Sequence, residues 1–337
     1  MNMKKISIAF EDFFKGFDPY NNVIYRLLKD KYDVEVIDIS DKEQRSKVQY
    51  LFFSVFGNNY LEYDCIRIFI SGENLCPNFN LCDYAIGFEY MDFEDRYIRF
   101  PIYLWDMYQA DYNRLLDNKD NIGESPEKRK FCGIVVSNNL FSDPMREDFF
   151  NELSKYKRVD SGGRAFNNIG KPDGVEDKNQ FLCNYKFSIA FENSSYSGYC
   201  TEKLMQAFSS GTVPIYWGDP RAIEVFNKGA YIDCTGLSIS EAIEKVKAID
   251  NDDEAYLRML SCEPLVDRKH REKMEEALLS WLENIFDQDV AKAKRIPKYG
   301  KMAIYEQNYY KKVKMEKMIK KPKAIYAIVK KIFIRNS

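Results

Sequence analysis

Apolar residues fall into two alternating patterns along the chain. KISIAF, CIRIFISGEN and CDYAIGFEY read as short strands, and YDVEVIDI alternates apolar and polar positions with period two, as strands do. After the first run, the segment from Asn22 to Lys31 puts Val23, Leu27 and Leu28 on one helical face. Strands that alternate with helices predict an α/β fold with a mostly parallel sheet. LLDNKDNIGESPEKRK, residues 115–130, then interrupts the pattern. It is polar, contains Gly and Pro and has no period, which marks a linker with a boundary at about residue 125.

The pattern restarts with the strand-like FCGIVVSN. PMREDFFNELSKY reads as a helix with Phe149, Phe150 and Leu153 as its stripe, and YKFSIAFEN as a strand. TEKLMQAFSSG reads as a helix with Leu204, Ala207 and Phe208 on one face and Gly211 at its stop. TVPIYWGD is a further strand and turn, and a helix over residues 268–286 carries Met274, Leu278, Trp281, Leu282 and Ile285 at helical spacing. The expected organisation is two α/β units facing a cleft, residues 1–125 and 126–297, followed by a tail, residues 298–337. In that tail Ile325, Ile328, Val329, Ile332 and Phe333 share a face opposite Lys323, Lys330 and Lys331. This is a basic amphipathic helix, suited either to a membrane surface or to docking on the protein's own body.

Charge sharpens the picture. From residue 291 onward there are 15 Lys or Arg and 2 acidic residues, whereas the whole chain has a net charge of −2. The body is therefore acidic, which argues against nucleic acid as a partner, and the basic tail points to an anionic surface. MNMKKISIAFEDFF has too short an apolar run for a signal peptide and is interrupted by Glu11 and Asp12, so it reads as a first strand. The eight cysteines form no C-x-x-C pair, which predicts reduced core thiols rather than a zinc site or a disulfide framework. The single histidine, His270, reads as an exposed helix residue, so a Ser-His-Asp triad or a His-rich metal site is not expected. No P-loop motif is present.

The candidate chemistry gathers in FENSSYSGYCTEKL. Glu192 and Asn193 follow a strand, where open α/β sheets bind ligands. A loop of small residues leads to Thr201, read as the cap of a helix whose amides face an anion. Lys203 stands in the first turn, a poor place for a cation beside the helix dipole but a good one beside a bound diphosphate. Asn193 and Glu202 can bond hydroxyls. The same segment also reads as a polar loop with an ordinary cap. Arg164, in DSGGRAFNNIG, can present its guanidinium to phosphate or belong to a plain surface loop. Glu73, in FISGENLCPNFN, follows another strand and is a candidate general base toward a hydroxyl.

Together these blocks resemble the α-1,3-fucosyltransferases, bacterial type. FENSSYSGYCTEKLMQAFSSGTVPIYWGDP is similar to that family's signature, SGENLCPNFNLCDYAIGF to its first block, and FCGIVVSN with DSGGR to the entrance of its donor domain. The resemblance spans roughly residues 4 to 290. It implies a GT-B-like fold, two Rossmann-like α/β domains facing a cleft, here with the basic helical tail appended. It implies inverting transfer of L-fucose from GDP-β-L-fucose to the GlcNAc of N-acetyllactosamine-type or lipopolysaccharide glycans. On this resemblance Glu73 is the general base, Arg164 and Lys203 bind the leaving diphosphate, and Asn193, Tyr199 and Glu202 contact the donor. Glu202 would also favour a cationic sugar in the transition state. No metal ion or further cofactor is required on this reading, and the protein is expected at the inner face of the cytoplasmic membrane. The alternatives are α-1,3/4 transfer, a related transferase with another nucleotide sugar, and a catalytically silent glycan-binding module.

Overall fold

The structure is a computed structural model that describes residues 3–41, 43–117 and 128–335, with side chains as far as residue 319. The expected boundary near residue 125 and the apolar stripe of residues 325–333 lie outside those described residues and side chains.

Two parallel sheets organise the chain. Strands β1 (Lys5–Glu11), β2 (Asp33–Val36), β3 (Tyr50–Phe53), β4 (Ile66–Ile70), β5 (Tyr84–Gly87) and β6 (Tyr97–Arg99) pair in the order β2-β1-β3-β4-β5-β6. Strands β7 (Lys130–Ile134), β8 (Val159–Ser161), β9 (Tyr185–Phe191), β10 (Val213–Trp217) and β11 (Ile232–Asp233) pair in the order β11-β10-β9-β7-β8. The helices are α1 (Val23–Leu28), α2 (Gln109–Leu116), α3 (Met145–Tyr156), α4 (Lys178–Leu182), α5 (Glu202–Ser209), α6 (Ile239–Asp250), α7 (Asp253–Ser261), α8 (His270–Phe286), α9 (Val290–Ala293) and α10 (Lys301–Arg335).

Burial explains the strand sequences. β3, β5 and β10 are buried along their whole length, so they read as unbroken apolar runs, as parallel strands covered on both faces do; β4 is equally buried but carries Arg67 within its run. β2 lies at an edge and keeps the alternating pattern. Strand order reverses between β1 and β3 in the first sheet and between β7 and β9 in the second. Crevices at the carboxyl ends of the strands open at such reversals.

The last third of the chain ties the two sheets together. α8 lies in the segment expected to belong to the second unit, yet Leu278, Leu282, Ile285 and Phe286 join a core with Ile8, Tyr50 and Ile68 of the first sheet. The Phe286 ring meets Tyr50 edge-on at 4.4 Å. Leu204, Met205 and Phe208 of α5 belong to the same core, which therefore spans both sheets.

The other face of the first sheet is covered by α10. Val313 is buried there, with Tyr309 and Tyr310 packed around it. Glu306 pairs with the buried Arg67 at 2.8 Å. The first half of the tail helix thus docks on the body. No described helix is long and apolar enough to cross a membrane. All eight cysteines are unpaired, and Cys65, Cys82, Cys132, Cys200 and Cys234 are buried as core residues. His270 differs from expectation. It is half-buried, 3.1 Å from the Tyr103 hydroxyl, and burial pulls its pKa down to about 4.

Candidate active site

β9 ends at Phe191, beside β7, at the reversal of the second sheet. The next residue, Glu192, is fully buried at 0% exposure. A carboxylate there needs partners. It accepts the Thr201 backbone N–H and the Thr201 hydroxyl, each at 2.7 Å, and Lys203 Nζ at 3.0 Å. The Thr201 hydroxyl also accepts from Lys203 at 2.8 Å. Thr201 stands at the N-cap position of α5, but its side chain accepts no helix amide. The expected cap is therefore replaced: Thr201 serves Glu192, and no cap side chain closes the first turn of α5.

The same geometry explains Lys203. Its unfavourable position at the helix start is offset by two carboxylates, Glu192 and Glu202, the latter at 3.5 Å. Burial alone would lower its pKa, but these charges outweigh burial and raise it, so Lys203 stays cationic. Burial pushes Glu202 upward, yet Lys203 and Lys178 overcome this and hold it ionised.

Asn193 is positioned by a residue the sequence reading passed over. Arg146 on α3 is 1% exposed. Its Nη2 donates to Phe191 O at 2.9 Å and to Asn193 Oδ1 at 2.7 Å, and its Nη1 donates to Ser142 Oγ at 2.6 Å. The signal was available: Arg146 lies on the helical stripe of Phe149, Phe150 and Leu153, where a charged residue has to be explained.

The loop between β9 and α5 leans on the first sheet. Gly198 has φ of 91°, and a Cβ there would lie 2.3 Å from Phe88 O, so only glycine allows this approach. Tyr199 is buried, its ring 5.1 Å from that of Phe88. From the other side comes the loop after β4, whose turn is held by Ser71 Oγ, 2.7 Å from Glu73 O and 2.9 Å from Leu75 O. Asn74 donates to Ser194, and Cys76 Sγ lies 3.2 Å from the Tyr196 hydroxyl.

Glu73 is accessible in the cleft, at the wall of a 390 Å³ cavity that Phe13, Phe17, Trp105 and Tyr108 also line. Partial withdrawal from water raises its pKa above the ordinary carboxylate value; Lys203 opposes the rise and Glu202 adds to it. Glu73, Tyr199, Glu202 and Lys203 thus share one electrostatic neighbourhood.

Arg164 stands apart, exposed, on the loop after β8. Among the described residues its side chain has no hydrogen bond or ion pair with the Lys203 cluster. The loop is nonetheless fixed at the sheet's reversal: Ala165 N donates to Val136 O at 2.9 Å, and a Cβ on Gly163 would lie 2.0 Å from that oxygen. Among the described residues no cluster of three or more His, Cys, Asp or Glu is arranged to hold a metal ion.

The matches to known proteins fall in two segments, one over each sheet. Residues 8–108 match the model of the α-(1,3)-fucosyltransferase FucT N-terminal domain, and residues 125–285 match that of the glycosyltransferase family 10 (fucosyltransferase) C-terminal part. The chain belongs to the family 10 fucosyltransferases. An α-(1,3)-fucosyltransferase FucT from Helicobacter pylori is 34% identical over 285 residues, which is 73% of this chain and 56% of that protein. The family 10 chain thus spans little more than half the length of that relative. A mouse 4-galactosyl-N-acetylglucosaminide 3-α-L-fucosyltransferase 9 is 34% identical over 143 residues, 40% of this chain and 37% of that one.

Among solved structures, an α1,3-fucosyltransferase superposes with a TM-score of 0.73 at 29% identity, covering 88% of this chain and 93% of the other. One solved with GDP-fucose gives 0.71 at 28% identity, covering 86% and 92%. The two parallel sheets form a GT-B-like α/β fold that matches these α1,3-fucosyltransferase structures.

Proposed function

We propose that this chain is an inverting α-1,3-fucosyltransferase that moves L-fucose from GDP-β-L-fucose to the GlcNAc of N-acetyllactosamine-type glycans, including those of lipopolysaccharide. The observation that carries the reading is the meeting of the Glu73 loop with the Glu192–Thr201–Lys203 cluster across one cleft. Family membership and the GDP-fucose bound by a structural relative support the donor. The substrate in the mouse relative's name supports the acceptor.

The acceptor hydroxyl attacks the anomeric carbon from the side opposite the diphosphate. The bond from sugar to acceptor oxygen forms as the bond to phosphate breaks, and the hydroxyl proton passes to the Glu73 carboxylate. A raised carboxyl pKa makes Glu73 a stronger base than a solvated glutamate. GDP gains negative charge as it leaves. Lys203, Arg164 and the first-turn amides of α5, which no cap side chain occupies, stabilise that charge. Lys203 already serves Glu192, so Arg164 is the cation with charge to spare. Asn193, held by Arg146, and Tyr199 contact the donor, and Glu202 favours the cationic sugar. The chain's own residues supply the acid–base and electrostatic roles, so no metal ion or further cofactor enters this account.

On this reading residues 1–125 bind the acceptor, 126–297 bind the donor, and the tail from 298 adds peripheral contact with the inner face of the cytoplasmic membrane. Exposed Met315, Met318 and Ile319 beside exposed lysines on α10 support that contact.

The test is a donor panel with N-acetyllactosamine as acceptor and the product linkage assigned by NMR. GDP-fucose should be consumed alone among GDP sugars and give an α-1,3 fucoside. Consumption of a different donor, or a β product, would remove the reading.

A further inference from the structure

A second cavity, of 520 Å³, adjoins the one that holds Glu73, and the two share Ser54 and Phe56 in their walls. The Glu73 cavity rests on the core that spans both sheets. The second rests on the core beneath α10, against Phe53, Tyr60 and Phe69. The saddle between them is firmly built. Asp12, at φ 59°, accepts Tyr60 N at 2.9 Å and, through its carbonyl, Phe56 N at 3.0 Å. Gly57 lies so close to the Asp12 carboxylate that a Cβ there would be 2.0 Å from Oδ1.

The tail helix closes the far wall of the second cavity with Tyr309. α10 is fixed in that place by the ion pair of Glu306 with Arg67, by Asn78 Nδ2 donating to the Tyr305 hydroxyl at 3.2 Å, and by buried Val313.

The chemistry of the lining limits what fits. No side chain in the wall of the second cavity carries a formal charge. A phosphate or a carboxylate would enter without a counter-ion and lose its hydration. The wall instead offers aromatic faces beside the Asn58 amide; the Asn78 amide is held by Tyr305 and Asn80, and the Ser54 hydroxyl donates to Ile70 O at 2.9 Å. Asn58 is half-buried, and its amide makes no hydrogen bond among the described residues. Rings and the uncommitted Asn58 amide together suit a neutral sugar, which has a C–H face on one side and hydroxyls around its edge.

We infer that the two cavities are consecutive subsites of one acceptor groove. The first holds the sugar that receives fucose. The second holds the neutral sugar units flanking it, with Tyr309 of the tail helix as its wall. This rests on the proposed fucosyl transfer and gives it a preference for longer acceptors.

The test measures kcat/KM of the full chain with GDP-fucose and three acceptors: N-acetyllactosamine, a tetrasaccharide of two such units, and N-acetyllactosamine with an octyl aglycone. The tetrasaccharide should exceed the disaccharide by roughly tenfold, the scale of one well-packed contact, beyond the twofold expected from its two acceptor sugars. Tyr309→Ala and Asn58→Ala should each bring that ratio down toward the statistical value, and Tyr309→Phe should keep it. If Tyr309→Ala does not fold, Asn58→Ala decides. Equal rates for disaccharide and tetrasaccharide in the wild-type chain would overturn the inference. So would a ratio untouched by the substitutions, or an octyl acceptor that matches the tetrasaccharide. Transfer to none of the three would instead remove the underlying activity, and the groove with it.

Discussion

Lys203 has two roles in this account, counter-ion to Glu192 and ligand of the departing diphosphate, and a pair of variants separates them. Lys203→Ala leaves Glu192, with no exposed surface, held among the described residues by the two donors of Thr201. Breaking a buried ion pair from one side costs about 3–5 kcal/mol, and the remaining hydrogen bonds place this case near the lower end. The single variant should therefore lose ~3 kcal/mol in urea unfolding. It should also lose turnover by roughly 10²–10³, the scale for removing one donor to a developing negative charge. Adding Glu192→Gln removes the stranded charge while a side-chain oxygen remains for Thr201. The double variant should recover most of the stability and none of the turnover. If activity returned together with stability, Lys203 would be a structural counter-ion only. If Lys203→Ala unfolded at the wild-type urea concentration, the buried-pair argument would itself be wrong.

Three further outcomes follow from particular groups. His270 titrates near 4 in the folded chain against 6.5 in the reference state, so its neutral form contributes stability above about pH 6.5 that fades as pH falls toward 4. That contribution is at most about 3 kcal/mol, and His270→Gln should flatten the stability–pH curve in that window; an unchanged slope refutes the assignment. Gly163→Ala drives a Cβ into the Val136 backbone and should displace the Arg164 loop. GDP affinity by calorimetry should fall about tenfold or more, and wild-type affinity would show that the loop takes no part in donor binding. Arg146→Ala frees the Asn193 amide and leaves Phe191 O without its side-chain donor. KM for GDP-fucose should rise, and a change confined to kcat would contradict a positioning role.

Much of this arrangement was legible in the sequence because it is local. β9, its loop and α5 follow one another directly, so Asn193, Glu202 and Lys203 could be placed at a strand's end and a helix's start from their order alone. Glu73 was legible in the same way, three residues beyond β4. What stayed hidden depends on contacts between distant segments. The partner that explains Lys203 is buried Glu192, and burial of a carboxylate cannot be read from its neighbours. Arg146 stands on the apolar stripe of α3, which marks it as unusual, but its partner Asn193 lies 47 residues away and cannot be read from that stripe. Strand β3, YLFF, is too short an apolar run to separate from a helical turn. In the tail, the lysines drew attention to residues 325–333. The docking contacts come earlier, from Tyr309, Tyr310 and Val313, and they are aromatic and branched residues spaced to meet the back of the first sheet.

The central claim is that Glu73 takes the acceptor's proton while the cluster around Lys203 holds the donor, and Glu73→Gln tests it most directly. The substitution keeps shape and hydrogen bonding while removing the base. Single-turnover transfer to N-acetyllactosamine should fall by at least about 10², within the range for loss of a general base, with GDP affinity by calorimetry within twofold of wild type. Transfer at the wild-type rate, or a loss traced wholly to weaker GDP binding, would contradict the account.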